Sequence, residues 1–321
     1  MNLDRIGSIT SELSANLLRS IVLPEGIRAW FARPLSDRLR NLYKPIYVAE
    51  KAPAAPVIRP GGPVLLFGGP SAPDQGIVEI IHLIGGRGAR VAVLPLAATD
   101  QEQAGAEAMR LFTRFGVKKV ESLGPVTSET LSDPAWCERV AAAEAVVLCG
   151  EDPRLGMGLV RGTRCEQTLQ HLHAAGKVLA GIAGGAAMLA SRFQTATGLA
   201  EGLDLASGLV VAPVLTGLIQ SNASNEGASI DQLIRILQAE RVHGLMGACI
   251  RPGAGLILRD GDARVIGDET VTFLDAEAPQ SKRIDACGVK AHVLSEGYGI
   301  NLRSRKPFSP PKEPPRAAAV R

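Results

Sequence analysis

Aromatic residues are scarce in this chain: Phe, Tyr and Trp make up 4% of its 321 residues. That argues against an aromatic-lined binding surface and, with abundant Gly and Ala, for close packing of strands and helices. The five cysteines, Cys137, Cys149, Cys165, Cys249 and Cys287, are an odd number without CxxC spacing. They exclude a zinc ribbon and a disulfide framework, and they suit a reducing compartment. No run of about 18 apolar residues is present, and the N-terminus carries early acids, Asp4 and Glu12, instead of a long apolar segment. Excess charge is missing too. Lys and Arg outnumber Asp and Glu by 35 to 32, a net +3 spread along the chain, so bulk charge gives no reason to expect a nucleic-acid partner. These absences predict a soluble, cytoplasmic protein without a membrane partner.

What is present is length and apolar content. A chain with 46% hydrophobic residues buries a full α/β core. Residues 1–60 read as a helical extension and linker. Ser8 to Leu23 and Glu25 to Tyr43 carry apolar residues at near-helical spacing, the second interleaved with Arg28, Arg33, Arg38 and Arg40. Their apolar faces are expected to dock on the body, a second subunit or another protein; an Arg-rich face meeting a membrane surface is the minor alternative. A Pro/Ala linker, Ala52 to Pro63, follows. Residues 61–302 form the main domain. From Val64 onward short apolar runs (Arg90 to Leu94, Lys118 to Leu123, Ala145 to Cys149, Lys177 to Ile182) alternate with helical patterns. Such alternation predicts a mostly parallel, doubly wound sheet in a three-layer α/β sandwich, flavodoxin-like or amidotransferase-like. Ligands of such sheets bind at the carboxyl ends of the strands, here Gly68 to Asp74, Gly150 to Leu155 and Gly181 to Gly185. After Gly202 short strands predominate and are expected to extend the same sheet. Residues 303–321, rich in Pro, Lys and Arg, are expected to be a disordered basic tail.

The organising stretch is Lys177-Val-Leu-Ala-Gly-Ile-Ala-Gly-Gly-Ala-Ala-Met-Leu-Ala-Ser191. An apolar strand runs through glycines into a segment of high helix propensity, a strand-to-helix elbow. In α/β hydrolytic enzymes that turn lifts a Ser or Cys above the sheet. The apex here is Ala183, whose methyl group can neither attack a carbonyl nor be activated by a base. The plainer reading of the local sequence is a Gly-rich turn packed in the core.

From Gly62 to Asp275 several stretches resemble, in order, cyanophycinase and the dipeptidase E (S51) family, serine exopeptidases with a glutamine-amidotransferase-like fold. Gly62-Pro-Val-Leu-Leu-Phe-Gly-Gly69 is similar to the family's opening strand and turn, and Leu148-Cys-Gly-Glu-Asp-Pro-Arg-Leu155 to its T-G-G-D-Q-x-R-L loop. Arg161-Gly-Thr163 matches an R-G-T, and Ala180-Gly-Ile-Ala-Gly-Gly-Ala186 resembles the G-G-T-S-A-G-A elbow. Val265-Ile-Gly-Asp-Glu-Thr-Val-Thr-Phe-Leu-Asp275 resembles a closing V-I-G-x-x-x-V-T-V-x-D. Carried over by this resemblance, the family's nucleophilic Ser falls on Ala183, its His on Val214 and its acidic pair on Arg251-Pro252. An acyl-transfer triad needs nucleophile, base and orienting group, and none remains. The resemblance therefore implies an inactive cyanophycinase-like scaffold. Its old cleft would be lined by Gly69, Gly150, Glu151, Asp152, Arg154, Ile182 and Gly184, and would take a peptide, a cyanophycin-like polymer or a partner such as an active paralogue. It also implies a homodimer. If Arg251 fills the place of the missing acid, the cleft centre is positive.

The alternative is an active hydrolase of Asp-Arg polymer or isoaspartyl peptides with a relocated nucleophile. Cys149 or Cys249 with His243 would be the pair to examine, although Cys is often only a small buried hydrophobe. Ser221, Ser224 and Ser229 have no matching base. His171 and His173, two apart on a helix, point to different faces, so no metal is expected. Gly68-Gly69-Pro70-Ser71 lacks the Lys of a phosphate-binding loop and the spacing of a dinucleotide fingerprint, so no cofactor is expected.

Overall fold

Four short strands whose side chains are largely apolar on both faces must be covered on both sides, and that requirement sets the architecture. The computed structural model describes residues 58–212, 224–239, 244–276 and 289–310, all within one unit, Pro53–Arg321. The N-terminal segments expected to be helical, Val214, Ser221, His243, Cys287 and residues 311–321 lie outside the described residues.

Strands β1 (Val64–Phe67), β2 (Arg90–Leu94), β3 (Lys119–Ser122), β4 (Ala145–Leu148) and β5 (Val178–Ile182) form the parallel half of a nine-stranded sheet, in the order β1-β5-β4-β2-β3. Residues of β1 divide by parity. Leu65 and Phe67 pack beneath α1 (Asp74–Leu83) and α2 (Gln101–Arg114) with Ile77, Ile80 and Phe112. Val64 and Leu66 face the other layer, formed by α3 (Pro134–Ala141), α4 (Pro153–Val160), α5 (Arg164–Ala174) and α6 (Gly184–Leu189). Burying a Leu or Phe fully is worth about 1.5–3 kcal/mol, so this two-sided core dominates the stability of the unit.

Beyond β1 the direction reverses. β10 (Ala254–Arg259) pairs antiparallel with β1, and β11 (Asp262–Gly267), β14 (Gly299–Asn301) and β15 (Lys306–Phe308) continue outward. The later strands thus extend the sheet only in part. β6 (Ala190–Gln194), β7 (Leu199–Glu201), β8 (Ala206–Ala212), β9 (Met246–Ile250), β12 (Val271–Asp275) and β13 (Lys290–Leu294) form a separate six-stranded sheet. Period-2 patterning marks a strand but does not tell which sheet it joins. On this second sheet Leu209, Val211, Ala248 and Phe273 face the main core. Val210, Ala212 and Leu274 pack with Leu233 and Leu237 of α7 (Ser224–Ala239).

Residues 303–308, expected in a basic tail, lie on the body. β15 is the sheet's last strand, and the Phe308 ring lies where a Cβ on Gly299 would stand, 2.3 Å from its Cζ. Arg305 forms a largely buried ion pair with Asp275 at the end of β12. Basic composition suggested solvation, but one aromatic anchor and one buried ion pair hold residues 303–308 on the body. At the other end the linker is already part of the unit at Arg59, whose N–H donates to Ser207 Oγ at 2.9 Å. No helix among the described residues is long and apolar enough to cross a membrane.

Candidate functional site

The carboxyl ends of β1, β4 and β5 meet over α6, and backbone contacts too close for side chains hold them there. Gly150 follows β4 with φ 120°, a conformation that strains any residue with a Cβ; such an atom would also lie 2.1 Å from Ala97 C. A Cβ on Gly185 would stand 2.2 Å from Leu148 O. These positions explain the glycines without reference to chemistry.

Between them β5 turns into α6 at Ala183, which is half-exposed with φ 53° and ψ −117°. The elbow expected from the sequence is therefore formed, and its apex adopts a backbone conformation that Gly ordinarily takes. The Ala183 N–H donates to Phe67 O at 3.0 Å, and the Gly184 N–H to Gly150 O at 2.7 Å. In an α/β-hydrolase elbow the N–H after the nucleophile faces the oxyanion. Here that donor already has a carbonyl partner.

The remaining predicted residues divide. Asp152 is the N-cap of α4: its carboxylate accepts from the Arg154 N–H at 2.9 Å and pairs with the Arg154 guanidinium at 3.4 Å. Pro153 at the first helical position completes this start signal. Glu151 accepts from Thr99 through both Oγ1 (2.6 Å) and N–H (3.2 Å). Both acids thus have local structural roles, while the Arg154 side chain extends into solvent. Ile182 sends its side chain into the core beside α1 and α2, so only its backbone belongs to the cleft end. Gly69 lies against Pro252, whose Cα would be 3.1 Å from an added Cβ. This brings Arg251 to the cleft wall, where its guanidinium pairs with Glu269 at 3.4 Å. The positive centre that Arg251 would have created is neutralised by that carboxylate.

Neither cysteine supplies a nucleophile. Cys149 packs into the layer under α2, its Sγ 3.8 Å from Ala104 O. Cys249 packs under α7 on the far face of the second sheet. Burial pushes both thiols up to about 12, leaving about one thiolate in 10⁵ at neutral pH. They lie in different layers, and His243, the expected partner of either, lies outside the described residues. His171 is exposed while His173 is buried. Among the described residues no three His, Cys, Asp or Glu side chains gather in a metal-binding arrangement.

Two contributors were not anticipated. Thr99 lies in the loop after β2, which also hydrogen-bonds residues 149–152 through Ala97; it is a carboxyl-end segment that the sequence reading passed over. Glu269 leaves no local signal, because only the pairing of β11 and β12 with their different partners brings it beside Arg251. The R-G-T motif is a brace. Arg161 pairs with Glu166 at 2.7 Å and donates to Gly202 O at 2.9 Å, and the Gly162 N–H donates to Glu166 at 2.7 Å.

No family model matches the chain. A cyanophycinase from Geminocystis herdmanii (strain PCC 6308) is 23% identical over 266 residues, covering 77% of this chain and 96% of that protein. The fold matches the crystal structure of a peptidase from an acI-B1 Actinobacterium with a TM-score of 0.59 and 18% identity, over 75% of this chain and 97% of that one. At that identity the second likeness is one of fold. The chain is thus similar to a cyanophycinase in sequence over most of both lengths, and to a peptidase in fold.

Proposed function

We propose that the protein is a catalytically inactive cyanophycinase-like protein, in which the cleft above the elbow binds a peptide or polymer without cleaving it. The observation that carries this reading is the apex itself. Ala183 holds the turn of a nucleophile without a nucleophile, and the following N–H is occupied by Gly150 O. Support also comes from the two thiols nearest in sequence to the strand ends, buried and protonated, and from Arg251, paired with Glu269 where the resemblance places an acid. Without nucleophile and base, any rate left from binding alone falls about a thousandfold or more below that of a working enzyme.

The test is incubation of the full chain with cyanophycin and with β-Asp-Arg dipeptide, following released product and, by calorimetry, binding. Saturable binding without product is expected, and Ala183→Ser alone should not create turnover because no base accompanies it. Product release abolished by Cys149→Ala or Cys249→Ala would overturn the inactive reading. Absence of both binding and turnover would overturn peptide recognition and turn the search to a protein partner.

A further inference from the structure

At the far end of α6 from the apex, five chain segments enclose a depression of about 440 Å³ with a mixed-charge lining. Guanidinium groups come from Arg59 before β1, Arg161 between α4 and α5, and Arg192 on β6; carboxylates come from Glu201 on β7 and Asp204 in the β7–β8 turn. Asp204 is fixed in place. Its backbone has φ 55°, its N–H donates to Ala190 O at 3.0 Å, and its carboxylate accepts from Ser191 Oγ and pairs with Arg59 at 3.0 Å. Ser191 Oγ in turn accepts the Gly208 N–H at 3.0 Å. The floor is therefore held by hydrogen bonds that link the Ser191 and Asp204 side chains to each other and to the main chain.

The ligand class follows from this lining. Arg161 is engaged with Glu166 and with the carbonyls of Glu201 and Gly202, so it serves as a wall. Arg59 presents a side chain 53% exposed, and a guanidinium has five donors, of which one carboxylate uses at most two. The charges nearly cancel, so a polyanion is not favoured, and the polar lining excludes an apolar guest. A volume in the lower part of the range for ligand pockets, about 300–1,000 Å³, suits a molecule of amino-acid or dipeptide size. We infer that this depression is a binding site for a small zwitterion, its carboxylate toward Arg59 and its ammonium toward Asp204 and Glu201. The site is separate from the elbow cleft and does not depend on the function proposed for it.

Exposed ion pairs bind weakly, so the dissociation constant is expected in the millimolar range or above. The test is calorimetric titration of the full chain with glycylglycine, with N-acetylglycine, which keeps only the carboxylate, and with glycinamide, which keeps only the ammonium. Glycylglycine should bind, and each blocked analogue should bind at least about tenfold more weakly. Arg59→Gln and Asp204→Asn should each weaken glycylglycine about fivefold, whereas Arg110→Gln, exposed on α2, should leave it unchanged. Asn tolerates a positive φ, so the second variant keeps the turn. Absence of saturable heat, binding unaffected by both variants, or equal binding of a blocked analogue would overturn the assignment.

Discussion

The apex of the elbow carries a cost that the sequence could remove with one substitution, which makes its conformation measurable. Ala183 sits at φ 53°, ψ −117°, the conformation of the first central residue of a type II′ turn, where a Cβ is crowded. A residue held there stores about 1–3 kcal/mol. Replacing it with Gly relieves that strain. The unfolded chain gains freedom worth about 0.4–1 kcal/mol against the change, and the half-exposed methyl gives up part of the ~0.8 kcal/mol that full burial would bring. The net expectation for Ala183→Gly is stabilisation by about 1 kcal/mol, or a Tm rise of about 2–4 °C for a unit of this size. Ala183→Val, β-branched and worse at positive φ, should move the other way. Thermal unfolding of the three proteins at one pH is the assay. A Gly variant that melts lower than the parent, or a Val variant that melts level with it, would refute the claim that the apex is strained.

Other expectations follow from the same physical rules. Gly185→Ala should destabilise the unit by more than about 3 kcal/mol, seen as insoluble expression or a lost melting transition, because its methyl meets Leu148 O at 2.2 Å and backbone cannot yield cheaply. Cys149 and Cys249, held near 12 by burial, should resist iodoacetamide at pH 7.5 in the native protein and react in urea, read residue by residue by mass spectrometry; fast native labelling would contradict the packing. Asp275→Ala should cost about 3 kcal/mol in urea unfolding, since it leaves the mostly buried Arg305 guanidinium without that carboxylate. His173, buried where α5 meets Gly62, has its pKa lowered mainly by that burial. The unfolded chain therefore takes up a proton below its ordinary value of about 6.5 while the native protein does not. Stability should fall as the pH drops from about 7 toward the folded pKa, and the slope should flatten in His173→Gln, measured by melting across pH.

The parallel half was legible because each signal there is local. Val64 to Phe67, Ala145 to Leu148 and Val178 to Ile182 are apolar throughout, as strands covered on both faces must be. The elbow was legible because Gly181, Gly184 and Gly185 stand where backbones approach. Helix α4 carries its start signal, Asp152-Pro153, inside the stretch that resembles a ligand loop, so one motif overlies the other. The second sheet was illegible for a different reason. Pairing β9 with β8 and β12 is decided by contacts among residues far apart in sequence, and alternation looks the same whichever neighbour a strand finds.

The same distinction separates the two candidate sites. Around Ala183 the glycine-bearing segments are turns after strands, so composition at known offsets marks them, Thr99 and Glu269 excepted. The mixed-charge depression draws Arg59, Arg161, Arg192 and Asp204 from four regions spread over more than 140 positions, and no periodicity joins them. Only the turn at Asp204, set by its positive φ and its bond to Ala190 O, brings a carboxylate to the guanidinium that precedes β1. That dependence makes the depression a probe of the whole unit. A substitution that loosens the β6–β8 pairing, such as Phe193→Ala in its core, should weaken glycylglycine binding while leaving the local ion-pairing residues unchanged. A variant that melts several degrees lower yet binds equally well would show that the β7–β8 turn holds Asp204 without help from the sheet.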